Sequence, residues 1–262
     1  MSSSIYAAYA AFTGRSARRF VRKPEIIINT VAFPVLLLGT MLAVFSSAVE
    51  AFEDGDYAQR LVPALVVSGI MFGSTGTAVG LFTDLQSGFM QRIRSMPVPS
   101  SAPLVGLVLA EVVRALAAVG VLVGVGYVAG FRFDSFVGAI GFVIVAAVAA
   151  VSVTWIGLAM ATGAKTQEAL APPLGALFLV LLFFSQGLVP LEAYPGWAQP
   201  LVEFNPASAY VTSLDGLARG GELAGPLLRA GIWSVLLVVV LGTVAIRRLR
   251  PGESGEAPVA VA

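Results

Sequence analysis

Residues 136–162 read FVGAIGFVIVAAVAAVSVTWIGLAMAT, 27 positions without one Asp, Glu, Lys or Arg. At 1.5 Å per residue such a helix is about 40 Å long, enough to cross the roughly 30 Å hydrocarbon core of a bilayer. Five further apolar stretches of similar kind lie on either side, at 26–49, 61–83, 104–130, 169–189 and 226–246. Pro34 and Pro63 inside spans predict bends, while Pro172 and Pro173 fall in a first turn, where a missing N–H costs little. Over the 262 residues, 57% are hydrophobic and 12% charged, with a mean hydropathy of +0.88. A soluble domain carries about 25% charged residues to cover its surface. The composition excludes that class. The expected fold is an all-α polytopic membrane protein, one transmembrane domain over 1–262 with six transmembrane helices.

The flanking segments set the orientation. Residues 5–23 read as an amphipathic helix lying on the membrane surface: Ile5, Tyr9, Phe12 and Phe20 line one side, and Arg15, Arg18 and Arg22 form a basic stripe. With an inside N-terminus, 11 basic residues fall in the cytoplasm (Arg15, Arg18, Arg19, Arg22, Lys23, Arg92, Arg94, Lys165, Arg247, Arg248 and Arg250). Four fall outside (Arg60, Arg132, Arg219 and Arg229), together with the acidic loop Glu50, Glu53, Asp54 and Asp56. The positive-inside rule therefore puts both termini in the cytoplasm of a plasma-membrane protein. The tail 251–262 is small-residue-rich and reads as a cytoplasmic extension.

Absences exclude several chemistries. Without His there is no Ser-His-Asp triad and no His-ligated metal or haem, and without Cys there is no thiolate nucleophile or disulfide. A net charge of +1 argues nothing about nucleic acid, and no such partner is expected. A phosphate-binding loop needs G-x-x-x-x-G-K-[ST]; the nearest stretch, Gly163-Ala164-Lys165-Thr166, lacks the Gly-Lys step. The chain reads as a non-enzyme with no metal and no cofactor of its own. Any energy must come from another chain or from an ion gradient.

Two features lie within the spans. Gly69, Gly73, Gly76 and Gly80 form a stripe of the kind that lets helix backbones approach closely. Glu111 and Arg114 stand three residues apart on one face of the third span, about 10 and 15 Å into the hydrocarbon. Charges at that depth cost about 2.5–3.5 kcal/mol each on the mildest scale, so the two are expected to neutralise each other and face protein.

The loop 84–99 runs Asp84-Leu-Gln-Ser-Gly88-Phe89-Met-Gln-Arg92-Ile-Arg94-Ser-Met-Pro97-Val-Pro99, too patterned for a plain turn. Leu85, Phe89, Arg92 and Met96 share one side of a short helix that suits docking into a partner's groove. This acid, Gly, Arg-x-Arg-Ser-Met-Pro order resembles the permease subunits of type-2 ABC exporters, closest to the daunorubicin-resistance branch. The likeness continues in Phe184-Ser-Gln-Gly187-Leu-Val-Pro190, Tyr194-Pro195-Gly-Trp197 and Phe204-Asn205-Pro206-Ala-Ser-Ala-Tyr210.

The resemblance implies half of the membrane part of a two-permease, two-ATPase exporter, paired with a second permease chain as homodimer or paralogous heterodimer. Asp84, Gly88, Phe89, Arg92, Arg94 and Pro97 would form the coupling helix seated on the ATPase subunit, which would hold ATP and Mg. Residues 190–225, with Gly187, Pro190, Pro195, Trp197, Asn205, Pro206 and Tyr210, would form an external re-entrant segment. The cargo implied is an amphiphile: drug, antibiotic or lipid, carried out of a bacterial cell. One departure stands out: the family often has a basic residue where this chain has Asp215, with Arg219 one helical turn on. The alternative is a self-sufficient secondary carrier or channel, which would leave the 84–99 pattern unexplained.

Overall fold

A computed structural model describes residues 35–36, 39–40, 57–88, 102–187 and 189–249, and among them all regular structure is helical. The expected surface helix 5–23, nearly all of the first span, residues 89–99 of the patterned loop and the tail 251–262 lie outside the described residues.

The helices run in chain order as α1 (Tyr57–Gln86), α2 (Ala102–Val128), α3 (Phe136–Ala161), α4 (Ala171–Phe183), α5 (Gln199–Glu203) and α6 (Pro206–Arg219). Then α7 (Ala224–Leu236) passes through a π-helical turn (Leu237–Leu241) into α8 (Gly242–Arg248) as one continuous rod. Four rods are long and apolar enough to cross a membrane: Gln59–Gln86, Ala102–Val128, Phe136–Ala161 and Ala224–Arg248. The chain is a multi-pass membrane protein.

α3 sits at the centre, against α1, α2, α6, α7 and α8. Its sequence explains the place. Small residues Ala146, Ala149, Ala150 and Gly157 recur on its buried side, which lets neighbouring rods come close, while Ile140, Val143, Ile144 and Val148 remain exposed to hydrocarbon. Ser135 caps its first turn by accepting from the Gly138 amide at 3.0 Å. Gly138 and Gly141 lie against Leu217 of α6, where a Cβ would meet the Leu217 backbone carbonyl or side chain.

The α2–α3 turn is filled by Tyr127, Phe131, Phe133 and Phe142, with edge-on pairs at 5.0 and 5.3 Å. The Gln59 side-chain amide pairs with the Arg132 backbone, accepting from its N–H at 2.9 Å and donating to its carbonyl. That amide ties the start of α1 to the turn. At the opposite end, Arg248 donates to the Ala159 carbonyl at 3.1 Å, closing α8 onto the last turn of α3.

The structure differs from the sequence reading at the fifth apolar stretch. A single helix over 169–189 is the expectation from the sequence; α4 covers Ala171–Phe183, 13 residues and about 20 Å, short of the roughly 30 Å hydrocarbon core. Its end has a specific cause. The Asn205 side-chain amide donates to the carbonyls of Leu181 and Phe184 at 2.7 and 2.5 Å, and its oxygen accepts from the Ala207 amide at 2.8 Å. One buried side chain thus satisfies the C-terminus of α4 and the N-terminus of α6 together. The Tyr194 hydroxyl adds bonds to the carbonyls of Phe183 at 2.7 Å and Ser185 at 3.0 Å. Apolar periodicity alone does not register such a stop.

Candidate functional site: an intramembrane ion pair and a helix junction

Glu111 and Arg114 project from α2 toward α1. Both are buried. Arg114 donates through Nε to Glu111 Oε2 at 2.8 Å and through Nη2 to Oε1, a two-pronged ion pair of the kind that suits a planar guanidinium. Thr77 of α1 donates its hydroxyl to the same carboxylate oxygen, Oε2. The guanidinium lies over Gly73, where any Cβ would overlap Nη1 and Nη2. Gly73 is therefore the room that Arg114 occupies.

That changes the meaning of the glycine stripe. Gly69 and Gly73 are buried, but Gly73 faces a side chain and not a partner backbone. Gly76 is exposed, and a Cβ at Gly76 or Gly80 would meet nothing among the described residues. Thr77 went unnoticed in the sequence. Its position four residues after Gly73, on the same helical face, is the signal that points to it.

Of the patterned loop, Asp84 lies in the last turn of α1 and Gly88 follows it with φ +68°, a left-handed conformation that ends the helix. Phe89, Arg92, Arg94 and Pro97 lie outside the described residues.

The segment after α4 is held by its polar side chains. Gly187 fits between Ala64 and Val211, where a Cβ would sit 2.8 Å from the Ala64 side chain. Pro190 precedes a single 3-10 turn, Leu191–Ala193, and the Pro195 carbonyl accepts from Ala198 at 2.8 Å. Burial pushes the Tyr194 phenol above its ordinary pKa. Trp197 is 71% exposed and Phe204 67%, large apolar groups turned outward beside the polar backbone. Such residues suit a membrane–water boundary. Pro206 opens α6 and Tyr210 is fully buried, its hydroxyl 2.9 Å from that of Ser234 on α7. Trp233 donates to the Phe204 carbonyl at 2.9 Å, a contact the motif reading did not include. Asp215 is paired with Arg219 one turn on, so the reversed charge is compensated within α6.

The family model for the ABC-2 type transporter matches residues 7–217. The chain belongs to the ABC-2 type transporter family. It is 28% identical over 238 residues to the "Probable doxorubicin resistance ABC transporter permease protein DrrC" of Mycobacterium tuberculosis, covering 87% of this chain and 83% of that one. It is 31% identical over 237 residues to the daunorubicin resistance ABC transporter permease protein DrrB1 of Streptomyces coeruleorubidus, covering 88% and 80%. The doxorubicin resistance ABC transporter permease protein DrrB of Mycobacterium tuberculosis matches at 24% over 231 residues, covering 82% and 79%. As an ABC-2 type permease, the chain is a transport subunit. Its ion pair and its helix junction both fall inside the matched range.

Proposed function

We propose that this ABC-2 permease is half of the membrane pathway of an ATP-driven exporter that carries an amphiphilic compound out of a bacterial cell. The observation that carries the reading is the family match over residues 7–217, joined by permease relatives named for daunorubicin and doxorubicin resistance. An amphiphilic drug of the anthracycline type is the first cargo to try. Spans of Val, Leu, Ala and Gly suit such a molecule better than a sugar or a phosphate.

In this reading six spans cross the bilayer with both ends in the cytoplasm, which the 11-to-4 distribution of basic residues supports. The stretch 84–99 meets the ATPase subunit that binds ATP and Mg. Residues 190–225 form the re-entrant external segment, with Trp197 and Phe204 at the boundary. A second permease chain, identical or paralogous, completes the path. The sequence holds no phosphate-binding loop, so hydrolysis belongs to the partner.

The test is co-expression with a candidate ATPase, followed by purification and anthracycline efflux from inverted vesicles. Arg92→Glu and Gly88→Trp are expected to abolish ATP-dependent efflux while leaving membrane insertion intact. Efflux that continues without any ATPase would favour a secondary carrier and reject the reading.

A further inference from the structure

Gln86, the last residue of α1, and Ala102, the first of α2, are the two points where the loop 87–101 joins the bundle. Thr77 lies nine residues from Gln86, and Glu111 nine residues from Ala102. Both stand about 14 Å along their rods, at matched height. One turn further, Gly73 and Arg114 meet in the same way. The contacts are two rungs of a ladder between antiparallel rods.

An apolar contact between helices tolerates sliding, because dispersion is non-directional and one methyl replaces another. This ladder does not. A shift of α1 by one turn would withdraw the Thr77 hydroxyl from Glu111; Gly69 or Gly76 would then replace Gly73 beside Arg114 and still leave it room, so the hydroxyl is what fixes the register. Buried polar contacts add little net stability over packed apolar groups, and fixing register is their best-attested use.

We propose that the Thr77–Glu111 rung, with the room that Gly73 leaves for Arg114, locks α1 and α2 into one rigid hairpin, so that a displacement of their connecting loop moves both spans together. Thr77 and Gly73 are positioning residues that act through the ion pair. The inference rests on the reading that the loop faces the ATPase. Its consequence is a loss of coupling and not merely of folding when a rung is removed.

The experiment uses the full chain with its ATPase in lipid nanodiscs and proteoliposomes. The protein has no cysteine, so spin labels placed at exposed Thr83 on α1 and Leu109 on α2 report on those sites alone. In the unsubstituted chain the distance between them should stay narrow and unchanged between nucleotide-free and vanadate-trapped states. Thr77→Val and Gly73→Ala should broaden it and lower cargo moved per ATP hydrolysed several-fold, with ATP hydrolysis retained, and Thr77→Ser should restore both. An unaltered distance and an unaltered transport-to-hydrolysis ratio in both variants would overturn the lock. A parallel fall of hydrolysis, transport and folded yield would overturn it too, leaving a plain structural brace. If no ATPase engages the unsubstituted chain, the loop reading has failed, and the distance measurement decides the lock by itself.

Discussion

Where α1 meets α2, a carboxylate and a guanidinium share the buried interior; where α4 meets α6, a neutral amide from Asn205 holds both helix ends. The two regions satisfy polar groups inside an apolar bundle by opposite means. The ion pair brings its own charges in and must keep both. The junction brings no charge; it serves backbone groups that the break in the helix has already orphaned. Charge fixes register at the risk of a large penalty when one member is lost. An amide permits a break in a rod at smaller stakes.

The sharpest way to break the comparison is to cut each region once. Arg114→Gln leaves Glu111 buried with Thr77 as its remaining hydroxyl partner, and stranding one member of a buried pair typically costs about 3–5 kcal/mol. The expected outcome is a marked drop in folded yield and thermal midpoint, read by size-exclusion of detergent-solubilised protein during heating. The double variant Glu111→Gln with Arg114→Gln should recover much of the loss. If the double variant is worse than either single one, the pair contributes net attraction that the desolvation argument underrates.

Asn205→Ala is the matching cut at the junction. It orphans two carbonyls and one amide, and a buried backbone group left without a partner costs about 1–3 kcal/mol. The loss should be smaller than for Arg114→Gln, because no buried charge is stranded. Asn205→Ser keeps an acceptor for the Ala207 amide and should fall between Ala and the original residue. A loss at Asn205→Ala equal to that at Arg114→Gln would erase the distinction between charged and neutral solutions.

The two regions were also unequally visible in the sequence. The i, i+3 spacing of Glu111 and Arg114 inside an apolar run suffices to place them on one face and to require a partner. Hydropathy alone locates the long rods to within a few residues at most ends. The end of α4 is another matter. Residues 184–189 read Phe-Ser-Gln-Gly-Leu-Val, a short polar interruption in an apolar stretch, and the cap that fixes where the helix stops comes from Asn205, more than 20 positions along the chain. Periodicity is local information: Ser185, Gln186 and Gly187 hint at a break, but the distant side chain that completes it cannot be read from the stretch itself. The Asn205-Pro206 motif was recognisable as a family element, yet its physical task required the fold. Gly73 shows the converse: its place in a regular stripe was plain, but the object it accommodates sits on another helix.

The smallest expected effect serves as the control for both regions. Arg229 of α7 and Glu203 of α5 pair at 2.8 Å, with 28% and 48% of their side chains exposed. Solvent screens such a pair, and its members give up rotamer freedom to hold one geometry, so exposed pairs contribute about 0–1 kcal/mol. Arg229→Gln should lower the thermal midpoint slightly or not at all, with the remaining loss suppressed by raising salt from 50 to 500 mM. The nearby bond from Trp233 to the Phe204 carbonyl still holds α5 against α7 in that variant. A large loss at Arg229→Gln would mean that this site is as shielded as the Glu111–Arg114 pair, and the ranking by burial would have to give way to one by network. A small loss that salt does not change would point instead to the aliphatic stem of Arg229, whose apolar contacts are shortened along with the loss of charge.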